Sequence, residues 1–161
     1  MLERAALAAA LSAAAAGAAA GQTFERAQQD VNHRIVGLTN TGEVVYIAPV
    51  GRYADVVLSD DHRTVMWRAT APFRDPDTQR FETVSYRIGW YRDARLHTYT
   101  APDERFIRDA WLVDSGRRIG VNYGGAHFAG QNVLLDASSG ARLASFADDD
   151  KTKKAVPAWV R

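Results

Sequence analysis

The chain has 161 residues, no cysteine and a net charge of +1, with 47% of its residues hydrophobic. That length allows one domain with a real core and is short for two. The near-neutral balance removes the electrostatic ground for a nucleic-acid or anionic-membrane partner, and the absent cysteines exclude a thiol nucleophile, a Cys-ligated zinc and thiol redox chemistry.

The first twenty residues stand apart. Met1-Leu2-Glu3-Arg4 leads into an alanine-rich run from Ala5 to Ala20, and Ala18-Ala19-Ala20 supplies the small residues a signal peptidase reads. The run is too short and too weakly apolar to span a bilayer, and no other segment is a candidate for membrane insertion. Residues 1–20 therefore read as a signal peptide cleaved near Ala20. The alternative is an alanine-rich helix of a cytosolic protein, alanine being the best helix former. Export places residues 21–161 in the periplasm as a single domain that does without disulfides.

Gly21 to Asn32 is polar and reads as a short helix or an arm. His33 to Val50 reads as a hairpin, with Arg34–Leu38 and Val44–Ile47 joined by the turn Asn40-Thr41-Gly42-Glu43. Four strands follow at Ala54–Leu58, Thr64–Ala69, Glu82–Ile88 and Arg95–Tyr99. Four more follow at Ile107–Val113, Arg118–Asn122, Asn132–Leu135 and Arg142–Phe146. Each is rich in β-branched or aromatic residues and bounded by Asp, Gly, Pro or Ser. Residues 148–161 form a polar tail in which Lys151, Lys153 and Lys154 read as solvated. Trp159 is open to docking on the sheet edge or to contact with a partner.

The two sets of four strands are one unit written twice. Asp55, Leu58, Asp60 and Arg63 match Asp109, Leu112, Asp114 and Arg117 at an offset of 54. Ala94-Arg95-Leu96 matches Ala141-Arg142-Leu143 at an offset of 47. The first copy thus carries extra residues between its halves. The expected fold is all-β: two four-stranded antiparallel blade-like repeats, about 54–100 and 107–147, plus an N-terminal hairpin, in an open arrangement.

Val57-Leu58-Ser59-Asp60-Asp61-His62-Arg63-Thr64-Val65 resembles the strand–turn–strand signature of WD40- and TolB-like propeller blades, with His62 in place of the turn glycine. Leu135-Asp136-Ala137-Ser138-Ser139-Gly140-Ala141-Arg142-Leu143 is similar to their second turn. Two repeats fall short of the roughly four blades that closure needs. The chain also resembles the two-blade periplasmic immunity proteins that neutralise type VI secretion peptidoglycan amidases. The shared stretches are Val57–Asp60, Arg63–Met66, Thr83–Tyr86 and Trp111–Asp114. That resemblance implies that the segment between the second and third strands of the first repeat, residues 70–80, enters the active site of a secreted cell-wall hydrolase. Its tip here lacks the small Ser/Gly-rich residues of that family.

Strand alternation puts three long connections on one edge of the repeats: Thr70–Arg80, Thr100–Arg105 and Tyr123–Gly130. Long loops on a rigid scaffold are where binding concentrates. The candidate partner-binding residues are Thr70, Pro72, Phe73, Arg74, Asp75, Asp77, Thr78, Arg80, Tyr123, His127 and Phe128. No catalytic, cofactor or metal residue is expected. The glycine-rich 124–130 segment precedes no helix and has neither dinucleotide nor Walker spacing, and no two histidines have ligand spacing. Asp148-Asp149-Asp150 reads as a solvated turn, not a calcium loop, and Asp55 and Asp109 as structural. The expectation is a monomeric, non-enzymatic, immunity-type inhibitor. The alternatives are a structural or adaptor module of an envelope complex, its open edges completed by another subunit, and a hydrolase using His127 with an aspartate.

Overall fold

The computed structural model describes residues 21–103, 105–125, 128–150 and 154–161, with Phe128 described by its backbone alone. The proposed signal peptide and His127 lie outside the described residues. Among the described residues eleven strands follow one another in three antiparallel sheets. Strands β1 (Phe24–Gln29), β2 (Ile35–Thr39) and β3 (Val44–Ala48) form the first. The second contains β4 (Tyr53–Leu58), β5 (Val65–Arg74), β6 (Phe81–Arg92) and β7 (Arg95–Thr100). The third contains β8 (Phe106–Val113), β9 (Arg118–Gly125), β10 (Phe128–Asp136) and β11 (Arg142–Ala147). Each sheet is a simple meander and none closes into a barrel. Among the described residues no helix is long and apolar enough to cross a membrane.

The fold is thus all-β and open, with both four-stranded units present. The N-terminal hairpin is β2–β3, and a third strand joins it: half of the polar segment read as a short helix or arm is β1. Its sequence, Phe-Glu-Arg-Ala-Gln-Gln, hides the strand because β1 is an edge that buries little beyond Phe24.

Alternation along β5 and β6 lets the middle sheet serve two cores. Val65, Trp67 and Tyr91 pack with Phe24, Ile35, Ile47 and Ala48 of the first sheet. Met66, Ile88 and Trp90 pack with Ile107, Ile119, Val121, Tyr123, Val133 and Leu135 of the third. Opposite faces of one strand carry successive side chains, so Val65-Met66-Trp67 can be buried throughout.

Polar bonds stitch the sheets together at the end where the tight turns lie. His62 takes a left-handed conformation (φ 58°) where the blade signature has glycine. Its carbonyl accepts the Phe24 N–H, and its Nδ1 lies 2.7 Å from the Phe24 carbonyl oxygen, so the turn residue clamps β1 to the second sheet. Between the second and third sheets, Thr64 Oγ1 donates to the Gly116 carbonyl (2.8 Å) and Trp90 Nε1 to the Ala137 carbonyl (2.8 Å). Arg92, only 4% exposed, donates to Asp61 Oδ2 (2.9 Å), Thr64 Oγ1 (2.6 Å) and the Gly116 carbonyl (3.2 Å).

The face of the third sheet turned away from the second is roofed by the chain's last residues. Trp111 Nε1 donates to the Trp159 carbonyl (2.9 Å), and the Arg161 guanidinium lies over the Trp111 ring. Asn132, fully buried, donates to Asp148 Oδ1 (2.8 Å) and to the Phe146 carbonyl (3.1 Å). Asp148 therefore helps bind the Asp148–Asp150 turn to the sheet.

Candidate functional site

Strands β5 and β6 run on after their neighbours stop. On one side the last pair with β4 is Tyr53↔Ala69, and on the other the last pair with β7 is Arg87↔Thr100. From Thr70↔Ser85 to Arg74↔Phe81 only two strands continue, so the extra residues of the first repeat form a projecting arm. Much of the segment read as a loop is therefore regular ribbon, and the turn proper is Asp75–Arg80. Pro72 does not break the ribbon. The Thr70 N–H points outward, donating to the Arg52 carbonyl, whereas the Asp75 N–H points inward to the Arg80 carbonyl. Two-residue alternation then gives Pro72 an outward position, where a missing N–H costs no ladder bond.

The tip is braced from within. Asp75 Oδ1 accepts the N–H groups of Asp77 (2.7 Å) and Thr78 (3.0 Å), the Gln79 N–H donates to the Asp75 carbonyl (2.8 Å), and Gln79 Nε2 donates to the Pro76 carbonyl (2.6 Å). An aspartate bonded to amides two and three residues on is a self-supporting turn. Gln79 takes φ 58° to close it.

The arm leans on the third sheet through three rings. Phe73 meets Phe106 edge-on with centroids 4.8 Å apart, and Tyr86 meets Phe106 at 5.2 Å. Phe106 pairs with Gly124 in the β8–β9 ladder. The arm thus lies beside the start of β8, next to the end of β9.

Within that group the candidates divide. Pro72, Arg74, Asp77, Thr78 and Arg80 are exposed, whereas Thr70, Phe73 and Asp75 are partly covered, Phe73 as an anchor and Asp75 as the brace of the tip. Tyr123 does not belong to the surface. Strand β9 extends through it, it is 5% exposed, and its ring packs 6.2 Å from that of Tyr99 in the core. Burial first, and then Tyr123 alongside, push the Tyr99 hydroxyl well above the ordinary tyrosine range. Phe128 opens β10, pairing with Gly125.

One residue of the site lies just beyond the predicted segment. Phe81 is 76% exposed on the arm, with the Arg74 guanidinium 5.8 Å from its ring centroid. The signal in the sequence is a phenylalanine flanked by Arg80 and Glu82, where a core ring is out of place. Arg74 and Arg80 make no ion pair among the described residues.

A groove of about 280 Å³ lies elsewhere, between β4 and β8, with Leu58, Met66, Trp111 and Leu112 among its apolar walls. Its one deeply buried hydroxyl, Ser59, donates to Asp61 Oδ1 (2.5 Å) and accepts the Thr64 N–H (2.9 Å), and no imidazole lines it. That is a turn hydrogen-bonded to itself, without the base that a serine nucleophile requires. Among the described residues no three His, Asp or Glu side chains are placed to hold a metal ion. Compared with known proteins, the chain matches no family model, no curated protein and no solved structure.

Proposed function

We propose that the chain is an exported, non-enzymatic binding protein whose β5–β6 arm occludes the active site of a secreted peptidoglycan hydrolase, as an immunity protein would. The observation that carries this reading is the arm itself: a two-stranded ribbon that runs on past its neighbouring strands, braced at its tip and resting on Phe106 through Phe73 and Tyr86. Such an element presents side chains at low ordering cost, because its shape is set before a partner arrives. The arm also occupies the position implied by the resemblance to the amidase immunity proteins, between the second and third strands of the first repeat. An interface of ordinary size, about 800 Å² per partner, extends from the tip across Phe81 to the neighbouring hairpin.

The test is capture from periplasmic and secreted proteins, using the full chain and a variant in which Pro72–Thr83 is replaced by Asn-Gly. Ala71 and Val84 already face each other across the ribbon, so a two-residue turn closes there. A peptidoglycan hydrolase held and inhibited by the parent but not by the short variant is the expected result. Equal capture by both removes the arm from the function.

A further inference from the structure

The two edges of the arm differ. On the β5 edge, the outward Thr70 N–H is spent on the Arg52 carbonyl and Pro72 has no N–H, so Arg74 alone keeps an outward donor there. On the β6 edge the same alternation decides the geometry. Pro72↔Thr83 and Arg74↔Phe81 are the pairs whose main-chain groups turn away from each other, so the N–H and C=O groups of Thr83 and Phe81 face outward. Among the described residues nothing bonds to them. The next bond on that side is the one from the Ala101 N–H to the Tyr86 carbonyl, where the four-stranded sheet resumes. A row of unpaired donors and acceptors is a template for another strand.

Side chains select the occupant. Within the ribbon, Pro72, Arg74, Phe81 and Thr83 share the exposed face, which holds one large apolar ring and a guanidinium but no carboxylate. Arg80 flanks it at the tip, and neither arginine has an ion-pair partner among the described residues.

We infer that the Phe81–Thr83 edge accepts an extended segment of the partner protein as a third strand, one that sets an apolar side chain beside Phe81 and a carboxylate beside Arg74 and Arg80. The inference rests on the arm being the contact element and names how the arm makes contact: main-chain pairing along its side, in addition to whatever the tip reaches.

The probe is a phage-displayed library of linear eight-residue peptides panned on the full chain. Enriched peptides are expected to alternate apolar residues with polar ones and to carry Asp or Glu. Synthetic copies are expected to bind Thr83→Ala like the parent and Thr83→Pro at least tenfold more weakly, because proline there removes an outward N–H and no ladder bond. Bound peptide is also expected to slow hydrogen exchange at the Phe81 and Thr83 amides of the parent, a reading that holds even if the proline variant melts early. No enrichment, binding indifferent to Thr83→Pro in a folded variant, or unchanged amide exchange overturns the inference. A hydrolase lost with the arm but retained by folded Thr83→Pro leaves the arm as the contact element and removes the edge pairing.

Discussion

Gly89 faces Trp67 across the β5–β6 ladder, and Gly120 faces Trp111 across β8–β9. A methyl group at Gly89 would lie 2.6 Å from the Trp67 indole, and one at Gly120 would overlap the Trp111 indole. In each pair the ring lies across the bare backbone of its neighbour, filling space the glycine leaves and covering its peptide bonds. The pairs occupy different strands of the two repeats, so they do not descend from one aligned position. Gly89→Ala is expected to cost about 2 kcal/mol by overpacking, read as a lowered thermal midpoint. Arg92 is buried to the same degree: Arg92→Ala leaves the Asp61 carboxylate without its cation and is expected to cost about 3 kcal/mol. Two of the groups with lowered pKa values contribute to the acid limb of stability. Burial first, and then the Arg95 cation, lower the pKa of His97, whose ring stacks on Trp90. A depressed histidine favours the neutral fold, so its contribution is present above the unfolded value near 6.5 and is lost as pH falls through the lower folded value. Burial opposes the charge of Asp61, but the Ser59 hydroxyl, the Arg63 N–H and Arg92 outweigh it and hold the carboxyl below its usual range. That stability is present above about pH 4 and is lost below it. The thermal midpoint should decline in two stages on acidification. His97→Phe should remove the first stage, and Asp61→Asn should flatten the second.

Among the elements, the β6–β7 turn places Asp93 and Ala94 at φ 50° and 61° between the paired Arg92 and Arg95, a conformation that glycine adopts without strain. Asp93 has reasons to be there, since it accepts Arg63 Nη2 (2.5 Å) and Ser138 Oγ (2.9 Å). Ala94 has no such bond, and Ala94→Gly is expected to stabilise by about 1 kcal/mol, measured by denaturant unfolding. For the arm, Phe106→Ala removes the ring on which Phe73 and Tyr86 rest, and faster proteolysis within residues 70–85 than in the parent is the expected outcome. These elements also show how far a sequence can be read. The eight strands of the two repeats were legible within a few residues because alternation and turn chemistry agree there. Strand β1 was not, because one buried ring in a polar edge leaves almost no period. Pro72 and Pro76 make Thr70–Arg80 read as a loop; only the direction of the Thr70 and Asp75 amides shows that Pro72 stands where a strand tolerates it. Gly124 and Gly125 look like a turn and make Tyr123 read as part of a loop, although β9 carries on through them. Phe81 lay one residue beyond the segment marked by its prolines.

At the scale of the whole molecule, the middle sheet is covered on both faces, the third sheet is covered on one face by the second sheet and on the other by the tail, and the first sheet has a single covered face. The last two sheets share one four-stranded meander order, and the arm is carried by the second sheet. Replacing Pro72–Thr83 by Asn-Gly should leave the thermal midpoint within about 5 °C of the parent, because the arm adds little to either core; a larger drop would make the arm part of the scaffold. Three bonds between the second and third sheets run directly from side chains of one to the backbone of the other: Thr64 and Arg92 to Gly116, Trp90 to Ala137. None depends on the connector at 101–105 to bring it into line. A chain divided between Asp103 and Glu104 would leave each fragment with half of a matched apolar face and half of each bond. The two fragments, expressed together, should find one another and restore the parent fold, which would make this junction a place to build a split reporter of association.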